Sequence, residues 1–134
     1  MRAPLAICIL CLLLPACPTT DARESFAAPE NARALREAQT RRFEASDPVL
    51  LLKTTMAAMQ DLQFVIDDAE PALGLATGTA LMDGARIRLC VFVRPVGEDE
   101  YSVRAVVHRG PILAEEPRVY RDFFDALGVA MALP

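Results

Sequence analysis

The chain has 134 residues, a formal net charge of −4, four cysteines and a single histidine. At about 100–200 residues per domain, the length allows one domain and excludes a two-domain enzyme. A hydrophobic content of 53% with 24% charge describes a globular chain, and the acidic balance excludes a general nucleic-acid binder, which carries a basic excess.

The first seventeen residues read MRAPLAICILCLLLPAC. Arg2 supplies a short positive start, and Leu5 to Leu14 is an unbroken apolar run. That run is shorter than the roughly 20 residues a mature membrane span needs, so it reads as a secretory signal. Leu14-Pro15-Ala16-Cys17 resembles a bacterial lipobox. The resemblance implies cleavage after Ala16 and a diacylglycerol thioether on Cys17, with several acyl chains anchoring the product. An ordinary signal with a soluble product is the alternative. Pro18 stands where an aspartate retains enteric lipoproteins in the inner membrane, so the expected location is the outer membrane, facing the periplasm. Residues 1–16 are therefore expected to be a signal peptide. Residues 17–38 are expected to be a lipidated cysteine and flexible tether, with a transient helix over Ala32 to Gln39, and 39–134 a single α+β domain.

Cleavage removes Cys8 and Cys11, and lipidation consumes Cys17. Cys90 alone is left, so no intramolecular disulfide is expected in the mature chain. One cysteine and His108 fall short of the four ligands of a structural zinc site.

Gln39 to Ala45 (QTRRFEA) alternates in part, with Thr40 and Arg42 opposed to Arg41 and Phe43, and predicts an opening strand. Ser46-Asp47-Pro48 predicts a helix start, with Asp47 capping and Pro48 in the first turn. That helix runs to about Leu62, with Val49, Leu52, Met56 and Met59 on one stripe, widened by Leu51 and Leu62. Gln63 to Asp68 predicts a strand with Phe64 and Ile66 on one face. Glu70 to Gly74 is a turn, and Leu75 to Leu81 a second strand, made irregular by Gly78. Met82-Asp83-Gly84-Ala85 is a turn signal.

Arg86 to Pro95 (RIRLCVFVRP) is the clearest strand, with Ile87, Leu89, Val91 and Val93 facing inward. Val96 to Glu100 forms a hairpin loop, and Tyr101 to Arg109 pairs back. Gly110 to Pro117 is a loop with two prolines. Arg118 to Leu133 is a final helix, with Tyr120, Phe123, Phe124, Leu127 and Met131 at helical spacing. The expected fold is α+β, in the order β-α-β-β-β-β-α. An antiparallel sheet of about five strands carries two helices on one face.

No catalytic constellation emerges. His108 has no nucleophile beside it: Ser102 shares its strand face about 20 Å away at ~3.3 Å per residue. Asp67, Asp68 and Glu70 do not follow a calcium-loop pattern. Leu73 to Gly78 lacks the lysine of a phosphate loop and opens no helix. Neither a metal nor a cofactor is expected.

The outward face of the two best strands is more informative. Arg88, Cys90, Phe92 and Arg94 neighbour Ser102, Arg104, Val106 and His108. A half-apolar face bearing three arginines is an interface composition. Arg88, Phe92, Arg94, Arg104 and Val106 are thus a candidate partner surface. The alternative is that the arginine stems simply cover a thin second layer.

A family resemblance runs through the domain. Its pieces are Gln39-Thr40-Arg41-Arg42-Phe43, Ser46-Asp47, Met59 to Asp67, Gly74 to Gly78, Arg94-Pro95, Tyr101 to Arg104 and Tyr120 to Leu127. Together they resemble a group of largely uncharacterised bacterial envelope lipoproteins. Gln63 departs from the pattern, standing where a glycine is common. The layout is also similar to the helix-grip domains of the lipoprotein BamC, an accessory of the outer-membrane β-barrel assembly machinery. The resemblance implies no catalytic residue.

Two functions are expected. One is a non-enzymatic, membrane-anchored periplasmic lipoprotein that docks or scaffolds in an envelope protein complex. The other is a small apolar-ligand-binding module, with a pocket between helix and sheet lined by Met56, Met59, Val91, Val103 and Phe124.

Overall fold

A computed structural model describes residues 30–133. The signal, Cys17 and the tether up to residue 29 lie outside the described residues. The elements are α1 (Glu30–Ala38), β1 (Thr40–Glu44), α2 (Pro48–Asp61), β2 (Val65–Glu70), β3 (Leu75–Met82), β4 (Ala85–Pro95), β5 (Glu100–Arg109), β6 (Ile112–Leu113) and α3 (Pro117–Ala132). The sheet is antiparallel, in the order β1-β5-β4-β3-β2. β1 pairs with Glu100 to Arg104 of β5, and β6 with His108 and Arg109 farther along the same strand. The fold is α+β, as the sequence predicts.

Alternation explains the two faces. Along β4, Ile87, Leu89, Val91 and Val93 are buried while Arg86, Arg88 and Arg94 are exposed. Along β5, Tyr101, Val103, Ala105 and Val107 are buried. The buried positions of β3 are all small, Ala76, Gly78 and Ala80, with Met82 packing at its end. This lets α2 settle close, with the Met59 side chain lying on Gly78. From α3, Tyr120, Phe123, Phe124 and Leu127 fill the other half of the core. Phe124 meets Phe123 edge-on at 5.1 Å and stacks with Phe43 at 6.4 Å. The Arg41 guanidinium lies 5.0 Å from the Phe124 ring centre, an arrangement worth about 0.5–1 kcal/mol at an exposed site.

Several expectations need correction. Residues 30–38 are not all tether: they form α1, whose Leu35 and Ala38 pack against the core. One leucine among alanines makes no visible stripe, and the helix is held by α3 and by running directly into β1. The buried stripe of α2 is Leu51, Leu52, Thr55, Ala58 and Met59; of the expected stripe Leu51, Leu52 and Met59 are buried, Met56 and Leu62 pack at its margin, and Val49 falls outside it. Val49 is 40% exposed. Thr55 enters the core because its hydroxyl donates to the Leu51 carbonyl at 2.8 Å, which removes the penalty of burying it.

β2 begins at Val65, two residues late, because Gln63 has a left-handed φ of 67° and turns the chain there. A bulge between Ile66 and Asp68 then shifts its register. β6 was not expected, being only two residues long. The cap holds as predicted: Asp47 accepts from the Val49 backbone N–H at 2.8 Å.

Candidate functional site

The helices cover the face of the sheet that carries Val91 and Val103. The opposite face bears the side chains that the sequence singled out, and the strand register sets their order. Arg94 lies opposite Ser102, which lies opposite Arg42 of β1. One row on, Phe92 lies opposite Arg104, which lies opposite Thr40. Next come Cys90 and Val106, and then Arg88 and His108. Phe92, Arg94 and Arg104 meet with Thr40 and Ser102 around a shallow depression of about 340 Å³. Of the predicted surface, Arg88 and Val106 stand outside that depression, on the same face.

The charges on this face are unbalanced at its centre. Arg42 reaches Glu100 at 3.5 Å. Among the described residues, Arg88, Arg94 and Arg104 have no carboxylate within ion-pair distance. Arg104 is instead held by a neutral group: its Nη2 donates to Gln39 Oε1 at 3.2 Å. Gln39 is only 2% exposed, and its Nε2 donates to the Tyr120 hydroxyl at 3.2 Å. Tyr120 in turn donates to the Ala114 carbonyl. A buried polar chain thus runs from α3, past the edge of the sheet, to an exposed guanidinium. Among the described residues no buried side-chain polar atom lacks a partner.

Apolar side chains continue the face toward β2. Val65 and Leu81 are 71% and 78% exposed, opposite Thr79 and Arg86 respectively. Cys90 is partly buried, and burial pushes its thiol up. The nearby Arg88 guanidinium opposes that rise, and the Asp67 carboxylate adds to it. Asp67 accepts a hydrogen bond from Thr79 Oγ1 at 2.5 Å. Among the described residues, no group of three or more His, Cys, Asp or Glu is placed to hold a metal ion.

The predicted apolar pocket is corrected. Met59, Val91 and Val103 are fully buried and Phe124 is 1% exposed, so these side chains fill the core rather than line a cavity. Only Met56 is partly exposed. A groove of about 420 Å³ does lie between sheet and helix, at the start of α3. Its floor includes Phe64, Leu89 and Phe123, with Arg109, Arg118 and Asp122 at its walls.

Gln39, Thr40 and Arg42 were missed as site residues. Alternation places Thr40 and Arg42 on one face of β1, but nothing local says that β1 pairs with β5. Among the described residues no helix is long and apolar enough to cross a membrane. Comparison by sequence finds no matching family model and no matching curated protein.

Proposed function

We propose that this protein is a lipid-anchored, non-enzymatic component of the bacterial cell envelope that docks in a protein complex. Anchoring is through Cys17, and docking is through the uncovered sheet face. The observation that carries the reading is the half-buried Phe92, flanked by Arg94 and Arg104 on a face that no helix of the described residues covers. Arginine and aromatic side chains dominate binding energy at protein interfaces. The exposed Val65 and Leu81 extend the apolar part of the same surface.

The test is crosslinking in intact cells, then affinity purification of the full-length protein and mass spectrometry. Cys17→Ala, Phe92→Asp and Arg88→Glu are the comparison variants. The reading expects a discrete set of envelope proteins, lost in Cys17→Ala and depleted in the two face variants. Retention of every partner by both face variants contradicts docking through this face.

The groove at the start of α3 supports a second reading, in which the domain holds a small apolar ligand. Its volume lies within the range of about 300–1,000 Å³ common for ligand sites. Native mass spectrometry of the purified protein tests it: a co-purified small molecule supports this reading, and a bare protein mass counts against it.

A further inference from the structure

Three guanidiniums surround Ser102. Arg94 and Arg42 flank it across the sheet, and Arg104 is two residues along its own strand. None of the three stands directly opposite another, but gathered on one face they repel one another. Glu100 offsets only Arg42. The fold does not need these charges, because no core residue depends on them for a hydrogen bond except Gln39. Gln39 and Tyr120 instead spend buried hydrogen bonds on fixing where Arg104 points. Arg104 uses one of its five N–H donors on Gln39, and the others are free to bind. An arginine oriented by a buried network and left without a counter-ion is built to receive an anion.

The spacing says what kind. The Ser102 row and the Arg104 row are two residues apart on one strand, about 6.7 Å at ~3.3–3.4 Å per residue. An extended peptide repeats the same distance between residues i and i+2. We propose that the depression receives an extended acidic segment of a partner protein, with carboxylates two residues apart. One carboxylate lies between Arg94 and Arg42, near the Ser102 hydroxyl. The next takes Arg104 and the Thr40 hydroxyl, its methylenes beside Phe92 in the same row. The site rests on the docking role above and gives it a partner chemistry.

The experiment uses the full-length protein in neutral-detergent micelles, observed by backbone amide NMR. The probe is a capped Glu-Leu-Glu-Leu-Glu peptide, and its Gln-Leu-Gln-Leu-Gln counterpart is the control. Shifts centred on Ser102 and Arg104, with affinity at least fivefold weaker for the glutamine peptide, are expected. Arg94→Ala and Arg104→Ala weaken binding of the acidic peptide at least fivefold each. Gln39→Leu weakens it through loss of Arg104 positioning. Should Gln39→Leu fail to fold, the two arginine variants still decide the matter.

No shift at Ser102, or an equal response in the arginine variants, overturns the proposal. So does equal binding of inorganic phosphate at matched ionic strength, or preferential binding to phosphatidylglycerol vesicles. The first marks a general anion site, and the second a membrane-facing surface. Crosslinked partners on this face without peptide binding remove the acidic segment and leave docking intact. Peptide binding without cellular partners on this face removes the docking role instead.

Discussion

Gly78→Ala tests the packing of α2 on the sheet. A methyl built at Gly78 lies 2.8 Å from Met59 Cε and 3.0 Å from the Val65 carbonyl oxygen. It also comes within 3.4 Å of Phe64 Cβ. The Val65 oxygen is backbone and cannot turn aside. Met59 is flexible but fully buried, so its end has little space to enter. Overpacking of this kind costs about 1–3 kcal/mol. The smaller unfolded-state entropy of alanine returns about 0.4–1 kcal/mol. The net loss is about 1–2 kcal/mol, or a Tm drop of about 5–15 °C for a domain near this size.

Gly128→Ala is the control, because nothing lies within 4 Å of its added methyl and it sits inside α3 on the exposed side. There the same change gains about 0.5–1 kcal/mol of helix propensity. Thermal and urea unfolding of both variants decides the point. Met59→Ala in the Gly78→Ala background relieves the clash, so the double variant is more stable than the two single losses add up to. A Gly78→Ala protein as stable as the parent, or strict additivity with Met59→Ala, refutes the packing described.

Other substitutions follow from the same geometry. Gln63→Gly removes a side chain from a left-handed φ of 67° and raises stability by about 0.5–1 kcal/mol in urea unfolding. Ser102→Glu places a carboxylate among three guanidiniums; it raises Tm at low salt, loses that gain at high salt, and abolishes binding of the acidic peptide. Cys90 is alkylated slowly near neutral pH, because burial raises its pKa and keeps the thiol protonated. The folded state therefore holds the proton more tightly. The resulting stability is fully present below the ordinary thiol pKa and is lost as pH climbs through the raised value. Peptide-mapped alkylation across pH checks the rate, and urea unfolding across the same range checks the slope.

The long central hairpin was legible because alternation over β4 and β5 is nearly unbroken, from Ile87 to Val93 and from Tyr101 to Val107. The membership of its outward face followed, whereas the register that sets Phe92 opposite Arg104 and Arg94 opposite Ser102 comes from the structure. Helix α3 was legible because four large side chains recur at helical spacing. Helix α2 was located and its rotation read closely: Leu51, Leu52 and Met59 turn inward as their spacing says, Leu50 is 60% exposed, and Val49 at the first turn is the member of the stripe left outside.

Helix α1 was half legible: Ala32 to Gln39 reads as a transient helix, but Leu35 and Ala38, which hold it to the domain, gain their partners only in three dimensions. The candidate site was half legible. Its β4 and β5 side chains came from alternation, whereas Gln39, Thr40 and Arg42 joined it through a long-range pairing that local pattern does not encode. The apolar pocket was misplaced because a stripe of methionine, valine and phenylalanine looks the same whether it lines a cavity or fills one. Burial of Met59, Val91, Val103 and Phe124 settles that they fill it.

On the proposed function, this protein meets its partner through the sheet face around Phe92, Arg94 and Arg104. Site-specific photocrosslinking in living cells tests it most directly. A benzophenone side chain replaces Phe92 in the depression, or Val129, which is 65% exposed on α3. Docking through this face gives discrete protein adducts from position 92, absent from position 129 and lost with Arg94→Ala and Arg104→Ala together. Adducts from position 129 alone, or none from position 92, contradict it.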